Sequence, residues 1–259
     1  MTELTLFQFF QKPPLGLHFN LDYIRSDFFD SIPKIYEPGA IVSRQGDSNT
    51  RVFIVASGWS CISRHLSDGS RQIIDTPLKG DMLGFPSFDS GGINALVAVS
   101  EVALYEIPGQ TFRSVVDQNA ALGAVFSRIA ARQHAVTVER LTSVCRRSAI
   151  ERTAHYLLEL GERVESSTTP IHGYECPLTQ HDLADVLGLT QIHVNRTLRE
   201  LRERDLVSFR AGAVEFLNRS KLVKLAGFDK TYLQYNWPTA LRKGAGPRQS
   251  QPAMRPADR

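Results

Sequence analysis

The chain has 259 residues, 42% hydrophobic and 22% charged, with a formal net charge of +3 at pH 7. These are globular values for one large or two ordinary domains, and no run approaches the eighteen apolar residues of a membrane span. The N-terminus lacks the basic region and cleavage site of a secretion signal, and the three cysteines, Cys61, Cys145 and Cys176, lie far apart. We therefore expect a cytoplasmic protein with reduced thiols, no membrane partner, no disulfide framework and no zinc site.

Short β-type runs fill the region from Ile32 to Ile107. They end at turn residues and are evenly spaced: "RVFIVASG", "WSCISRHL", "RQIIDTPL", "INALVAVS" and "EVALYEIP". Such spacing predicts an antiparallel β-roll or barrel. Asp68 and Gly69, between the second and third runs, predict a hairpin with a type I′ turn, because both central residues of that turn need positive φ.

A long helix is predicted from Gly109 to about Arg147, where proline is absent and apolar residues recur at helical spacing. At 1.5 Å per residue it is roughly 50 Å long, more than one small roll can cover. A matching helix from a second subunit is one partner for the apolar stripe, and folding back onto its own domain is the alternative. The homodimer hypothesis places the interface at Leu122, Phe126, Ile129 and Val136.

The segment "PLTQHDLADVLGLTQIHVNRTLRELRERDLV" predicts two short helices joined by a tight turn. Thr179 and Asp182 form a capping box for the first helix, and Gly188 ends it. Thr190 caps the second helix, which should bury Val194, Leu198 and Leu201. Its outward face then carries Gln191, Ile192, Asn195, Arg196 and Arg199.

This outward face suits DNA. The amides of Gln191 and Asn195 can pair with adenine, the guanidinium of Arg196 can pair with guanine, and Ile192 can meet a thymine methyl group. Arg199 lies further along the helix and is better placed for a phosphate. The pattern predicts a helix-turn-helix, and the alternative is an ordinary helical hairpin with a charged exterior.

A small wing is predicted directly after the two helices. The stretch "LVSFRAGAVEFL" is typical of two strands joined by a turn, with Arg210 near the tip. Capping signals, a face of amides and arginines, and a wing together favour DNA binding over a plain helical hairpin.

The order of these segments resembles the cyclic-AMP receptor protein/FNR (CRP/FNR) superfamily of bacterial transcription regulators, over roughly residues 31–229. The resemblance rests on "EPGAIVSRQGD" and "GDMLGF" in the roll, the long helix, and the helix-turn-helix segment. It implies an α+β protein with an effector-type β-roll resembling a cyclic-nucleotide-binding domain, a helix that pairs across a homodimer, and a C-terminal winged helix-turn-helix. It also implies RNA polymerase as a partner, base reading by Gln191, Ile192, Asn195 and Arg196, and backbone contacts near Thr179, Gln180 and Thr190.

The nucleotide and cluster chemistry of the family does not carry over. Nucleotide-binding members have a Glu after the Gly of "GDMLGF" and an Arg-Ser pair about ten residues later, but here Phe85 follows Gly84 and "GGINALV" replaces the pair. A cyclic phosphate would then lack its cationic partner in a small cavity, so cyclic AMP is an unexpected ligand. No N-terminal cysteine group exists to hold an iron–sulfur cluster. We predict no cofactor.

The sequence is compatible with more than one kind of signal input through the β-roll. The expected effector pocket lies around Gly84, Phe85, Pro86, Ser87 and Asn94. The aromatic character of this region is compatible with an apolar ligand, or with a pocket that the protein fills with its own side chains. A haem or redox signal at Cys61, His65 or Cys145 is an alternative to inert cysteines and a buried histidine. Two other function classes are an architectural DNA binder whose roll only oligomerises, and a cupin-like metal enzyme. Only His18 and His65 precede residue 134, which argues against the enzyme.

The predicted organisation has five parts. They are an N-terminal extension at 1–30, the β-roll at 31–112, the dimerisation helix at 113–147, the winged helix-turn-helix at 148–229 and a basic tail at 230–259. The apolar stretch "LTLFQFF" of the extension can pack on the roll or on a partner subunit, and the tail is rich in Pro, Gly, Arg and Gln and should be disordered.

Overall fold

A computed structural model describes residues 4–12, 15, 17, 28–47, 51–84, 92, 94–164 and 172–235. The strands of the N-terminal half are β1 Lys34–Tyr36, β2 Ile41–Ser43, β3 Arg51–Ser57, β4 Ser60–His65, β5 Arg71–Asp75, β6 Met82–Leu83, β7 Ala95–Ala98 and β8 Val102–Pro108. They form two four-stranded antiparallel sheets, ordered β1-β8-β3-β6 and β2-β7-β4-β5. The predicted β-roll is confirmed.

The interior of the roll is filled by its own apolar side chains. Alternating residues of β3 and β8 point inward, where they meet Leu83 of β6 in the same sheet and side chains of β7 in the facing sheet. The cluster consists of Phe53, Val55, Leu83, Leu96, Ala98, Val102 and Leu104, all buried.

The β4–β5 hairpin forms where the sequence places it, but the type I′ turn prediction is wrong. Five residues, 66–70, join the strands, and of these only Gly69 has a positive φ, of 84°. Asp68 instead accepts hydrogen bonds from the backbone N–H and the hydroxyl of Ser70. Its side chain stabilises a longer turn that does not need a left-handed Asp.

The long helix is two helices, which corrects the prediction of one continuous element. Helix α2 spans Gly109–Gln118 and α3 spans Ala120–Arg146. Asn119 lies between them with extended backbone, and its side chain accepts a hydrogen bond from Leu122 N–H as the cap of α3. An N-cap residue is non-helical by nature, so Asn119 ends one helix and begins the next. Helix α3 is therefore about 40 Å long rather than 50 Å.

The four residues predicted for the dimer interface are buried within the chain, which corrects that assignment. The N-terminal extension contains helix α1 Leu6–Phe10, whose capping box pairs Thr5 with Gln8. Phe10 contacts Phe126 on α3, with ring centroids 6.0 Å apart, and Phe9 contacts Tyr105 of the roll. The extension thus covers the α3 stripe: Leu122, Phe126 and Ile129 join its cluster, and Val136 packs into the C-terminal core.

The C-terminal half is a winged helical unit. Its elements are α4 Ala149–Val164, β9 Gly173–Glu175, α5 Gln180–Leu187, α6 Gln191–Glu203, β10 Ser208–Arg210, β11 Ala213–Glu215 and α7 Arg219–Ala226. The wing sheet, ordered β10-β11-β9, packs on α4 at Gly161, where a Cβ would lie 3.1 Å from the ring of Tyr174 and 3.2 Å from that of Phe216. Glycine there allows the sheet to approach the helix closely.

Three further predictions need correction. Strand β9 lies in a stretch where the sequence predicts no strand, because its partner β11 is about forty residues further along the chain. His65 is exposed rather than buried. The tail begins with a 3₁₀ helix, Lys230–Leu233, whose Leu233 is buried and whose carbonyl accepts a hydrogen bond from Arg132, so 230–235 are ordered; residues 236–259 lie outside the described part.

Candidate DNA-binding interface

Helix α5 begins at a reciprocal cap. The Thr179 side chain accepts a hydrogen bond from the Asp182 N–H at 3.1 Å, and the Asp182 carboxylate accepts one from the Thr179 N–H at 2.9 Å. The Thr179 hydroxyl donates to the same carboxylate at 2.6 Å. This confirms the predicted capping box and fixes the first helical residue, Gln180, at the free N-terminus of the helix.

The turn between the two helices also has the predicted chemistry. Gly188 ends α5 with φ of 61°, in the left-handed region that a residue with a Cβ adopts only at a cost. Thr190 caps α6 by accepting a hydrogen bond from His193 N–H at 3.3 Å. These local signals set the angle at which α6 leaves α5.

Helix α6 divides into a buried and an exposed face. Val194, Leu198 and Leu201 are buried against α4 and α5. The opposite face is exposed and contains Gln191, Ile192, Asn195, Arg196 and Arg199, the set predicted from the sequence. We call these five residues the reading face.

The most unusual member of the reading face is Ile192. It is 80% exposed, the highest fraction among the large hydrophobic side chains that the structure describes. Its neighbours on the helix surface are polar, so no apolar side chain among the described residues covers most of it.

The two arginines of the reading face differ in their partners. Arg199 Nε donates to Glu203 Oε1 at 2.7 Å in an exposed i,i+4 pair. For Arg196, no hydrogen bond or ion pair is found within the described residues. The Arg196 guanidinium is thus ready to make a bidentate contact, whereas Arg199 must share its charge with Glu203.

The wing carries Arg210 where the sequence predicted it. Arg210 is exposed at the end of β10, and the tip that follows is formed by Ala211 and Gly212, both with positive φ. His193 is exposed in the first turn of α6 beside the reading face, but the sequence prediction of DNA-binding residues does not include it. The helical angle of 100° per residue would have placed it at the edge of the exposed face.

The expected effector pocket is only partly within the described residues. Phe85, Pro86 and Ser87 lie outside them, and Asn94 is half-buried just before β7. Gly84 ends β6 with φ of 71°, and a Cβ there would lie 2.4 Å from the carbonyl oxygen of Arg51. Gly84 is therefore required by close backbone packing, whatever the roll binds.

Two of the three thiols are shielded. Burial raises the pKa of Cys61 to about 12 and that of Cys176 to about 12, so both stay protonated near neutral pH. Cys145 is exposed near the end of α3. Within the described ranges, no three His, Cys, Asp or Glu side chains are grouped to hold a metal, and no helix is long and apolar enough to span a membrane.

A β-roll joined by a long helix to a winged helix-turn-helix defines a class of DNA-binding regulators, and the comparisons with known proteins specify it further. Residues 33–119 match the model of the cyclic nucleotide-binding domain, and residues 151–225 match that of the Crp-like helix-turn-helix domain. The nitrogen fixation regulation protein FixK of Rhizobium meliloti (strain 1021) is 32% identical over 175 residues, which cover 68% of this chain and 77% of FixK.

Two more distant similarities agree with this. The fumarate and nitrate reduction regulatory protein of Vibrio cholerae is 23% identical, over 83% of this chain and 88% of its own. The structure of FixK2 from Bradyrhizobium japonicum superposes with a TM-score of 0.69 at 22% identity, over 77% of this chain and 98% of that one, which shows a shared fold. The chain belongs to the CRP/FNR superfamily of transcription regulators and carries its helix-turn-helix DNA-binding domain.

Proposed function

We propose that this regulator is a homodimer that reads an inverted-repeat operator with α6. The observation that carries the proposal is the reading face, where an 80% exposed isoleucine lies among exposed amide and guanidinium groups. Exposed apolar surface is unfavourable in water and becomes favourable against a thymine methyl group, while the flanking donors match base edges. Arg196 reads guanine, Gln191 and Asn195 read neighbouring positions, and Arg199, Arg210, Thr179, Gln180 and Thr190 approach the backbone.

The dimer surface that we propose is the exposed side of α3. Residues on that side recur at alternating steps of three and four, the spacing of a two-stranded coiled coil: Ala124, Ser127, Ala131, His134, Val138, Leu141 and Cys145. Small residues in the first half allow close helix approach. In the second half Val138 is 47% and Leu141 63% exposed, which provides apolar surface for a second copy.

In this arrangement the two recognition helices enter successive major grooves. The centres of the half-sites should then lie about 34 Å apart, one turn of B-DNA. An operator with two-fold symmetry follows from the two-fold symmetry of the dimer.

We further propose that the roll does not bind cyclic AMP. Among the described residues, its interior holds the apolar side chains of the roll cluster, which offer no partner to a phosphate. A regulator of this type acts on DNA in the bacterial cytoplasm and contacts RNA polymerase from the operator. We assign it no catalytic step, cofactor or metal.

The test is selection of bound sequences from a random duplex pool with purified protein at physiological salt. We expect enrichment of one inverted repeat, and loss of that enrichment with Arg196→Ala. DNA retention without enrichment of any sequence favours an architectural binder instead. A repeat whose enrichment survives Arg196→Ala argues against the base-reading role of α6.

A further inference from the structure

The DNA-binding unit packs on the roll through a shared apolar cluster, which contains Cys61, Ile73 and Leu78 of the roll, and two groups of charged side chains add to this contact. The inner attachment lies at α4, where Arg163 Nη2 contacts Asp81 Oδ2 at 2.7 Å. Beside it, Arg140 of α3 bridges Asp75 of the roll at 2.6 Å and Glu159 of α4 at 2.7 Å. All of these side chains are largely buried, so these contacts hold α4 against the roll.

The outer attachment is made by Arg71, at the start of β5. Its Nε donates to Asp185 Oδ2 at 2.6 Å and its Nη2 to Asp182 Oδ1 at 2.7 Å, so one guanidinium holds two carboxylates of α5. The side chain of Gln72 donates to the Asp185 carbonyl oxygen. Arg71 is 27% exposed and the two carboxylates 14–15%, which makes this a half-buried contact at the edge of the interface.

One of these carboxylates also builds the N-terminus of α5. Asp182 gives one oxygen to Arg71 and the other to the Thr179 cap. Burial opposes ionisation, but the hydrogen bonds from Thr179 and the charge of Arg71 keep the pKa of Asp182 below its ordinary value. A residue of the roll is thereby connected, through one carboxylate, to the helix end that faces the DNA backbone in the proposed complex.

The outer attachment leaves the reading face uncovered. Among the described residues, the hydrogen bonds of the Arg71 guanidinium reach only α5, whereas Gln191, Ile192, Asn195 and Arg196 on α6 remain exposed. The apolar cluster is non-directional, whereas the paired hydrogen bonds of Arg71 fix where α5 lies along β5. In a dimer, the orientation of each unit decides the distance between the two copies of α6.

We propose that Arg71 is a positioning residue for DNA binding. By holding Asp182 and Asp185 it fixes α5 and α6 relative to the roll in the conformation that binds DNA, so a residue of the roll sets the half-site spacing that the dimer accepts. This inference rests on the proposed dimer and inverted repeat. It assigns the roll a part in DNA recognition that needs no effector.

The test compares the full-length wild type with Arg71→Gln on operators of native spacing, on operators with one or two base pairs added or removed, and on a single half-site. We expect Arg71→Gln to lose about tenfold in affinity at native spacing, within the usual range of coupling between sites, and to discriminate less between spacings. Its half-site affinity should match that of the wild type. Arg64→Gln, which removes an exposed cation from the same hairpin, is the matched control and should behave as wild type.

A charge exchange separates positioning from stability. Asp185→Arg alone should resemble Arg71→Gln, and the double variant Arg71→Asp with Asp185→Arg should recover spacing discrimination. An Arg71→Gln protein that keeps the wild-type spacing preference, or that loses equally on all sites including the half-site, overturns the role of Arg71. A wild type that prefers no inverted repeat at all refutes the dimeric function itself, which is a different result.

Discussion

Replacement of Ile192 by alanine should weaken DNA binding without changing the stability of the protein. Three carbons lie beyond the Cβ of isoleucine, and each buried carbon contributes about 0.8 kcal/mol. Scaled by the 80% exposure of the free side chain, the loss is up to about 2 kcal/mol per half-site, roughly thirtyfold in Kd. The free energy of unfolding should change by less than about 0.5 kcal/mol, because the side chain has little contact to lose.

The assay pairs this variant with a modified operator. Each thymine of the selected half-site is replaced in turn by deoxyuridine, which lacks only the 5-methyl group, and Kd is measured by fluorescence anisotropy. Wild-type protein should lose about fourfold in Kd at one thymine, the value of one buried methyl group. Ile192→Ala should show no loss at that position.

The matched control is Ile41→Ala, which truncates a 50% exposed isoleucine of the roll and should leave DNA binding unchanged. If the deoxyuridine effect persists in Ile192→Ala, another residue reads that methyl group. If no thymine matters to the wild type, the apolar contact does not exist and the reasoning from exposure is refuted.

Five other outcomes follow from the structure. Arg196→Ala should cost about 1–3 kcal/mol and relax specificity at one base pair per half-site, whereas Arg199→Ala should weaken all sequences alike and lower the salt slope by about 1, as titrations against salt will show. Leu141→Asp should yield a folded monomer in analytical ultracentrifugation; a persistent dimer would move the interface elsewhere. Phe126→Ala should destabilise the fold by about 3–5 kcal/mol in urea unfolding, because the ring is enclosed by the N-terminal extension. Cys61 should resist thiol reagents at pH 8 in the folded protein, since burial holds its pKa at about 12; modification at the rate of a free thiol would show that the roll opens.

The features that the sequence predicted correctly depend on neighbours along the chain. The capping box of α5 joins residues three apart, Gly188 acts on its own helix end, and the two faces of α6 follow from a period of 3.6. Each needs only a short stretch of sequence, so the helix-turn-helix could be predicted almost to the residue.

The errors arise where a distant segment decides the outcome. The stripe at Leu122 and Phe126 is predicted to face a second subunit, but residues of the N-terminal extension, about a hundred positions earlier, cover it. The contact of Arg71 with α5 joins residues 111 and 114 positions apart and leaves no periodic signal. The break at Asn119 is different, because its cap involves only Leu122, three residues away, and a stretch without proline still predicts one continuous helix.

The N-terminal extension has a consequence for how two chains can pair. Helix α3 has two apolar or small-residue lines at coiled-coil spacing, one through Leu122, Phe126 and Ile129 and the other through Ala131, Val138 and Leu141. An uncovered helix of this kind could associate through either line, and the two resulting dimers would point their winged units in different directions. By occupying the first line with phenylalanine rings, the extension leaves one mode of association. In the proposed dimer, a segment packed on the opposite side of α3 thereby selects the symmetry axis of the regulator.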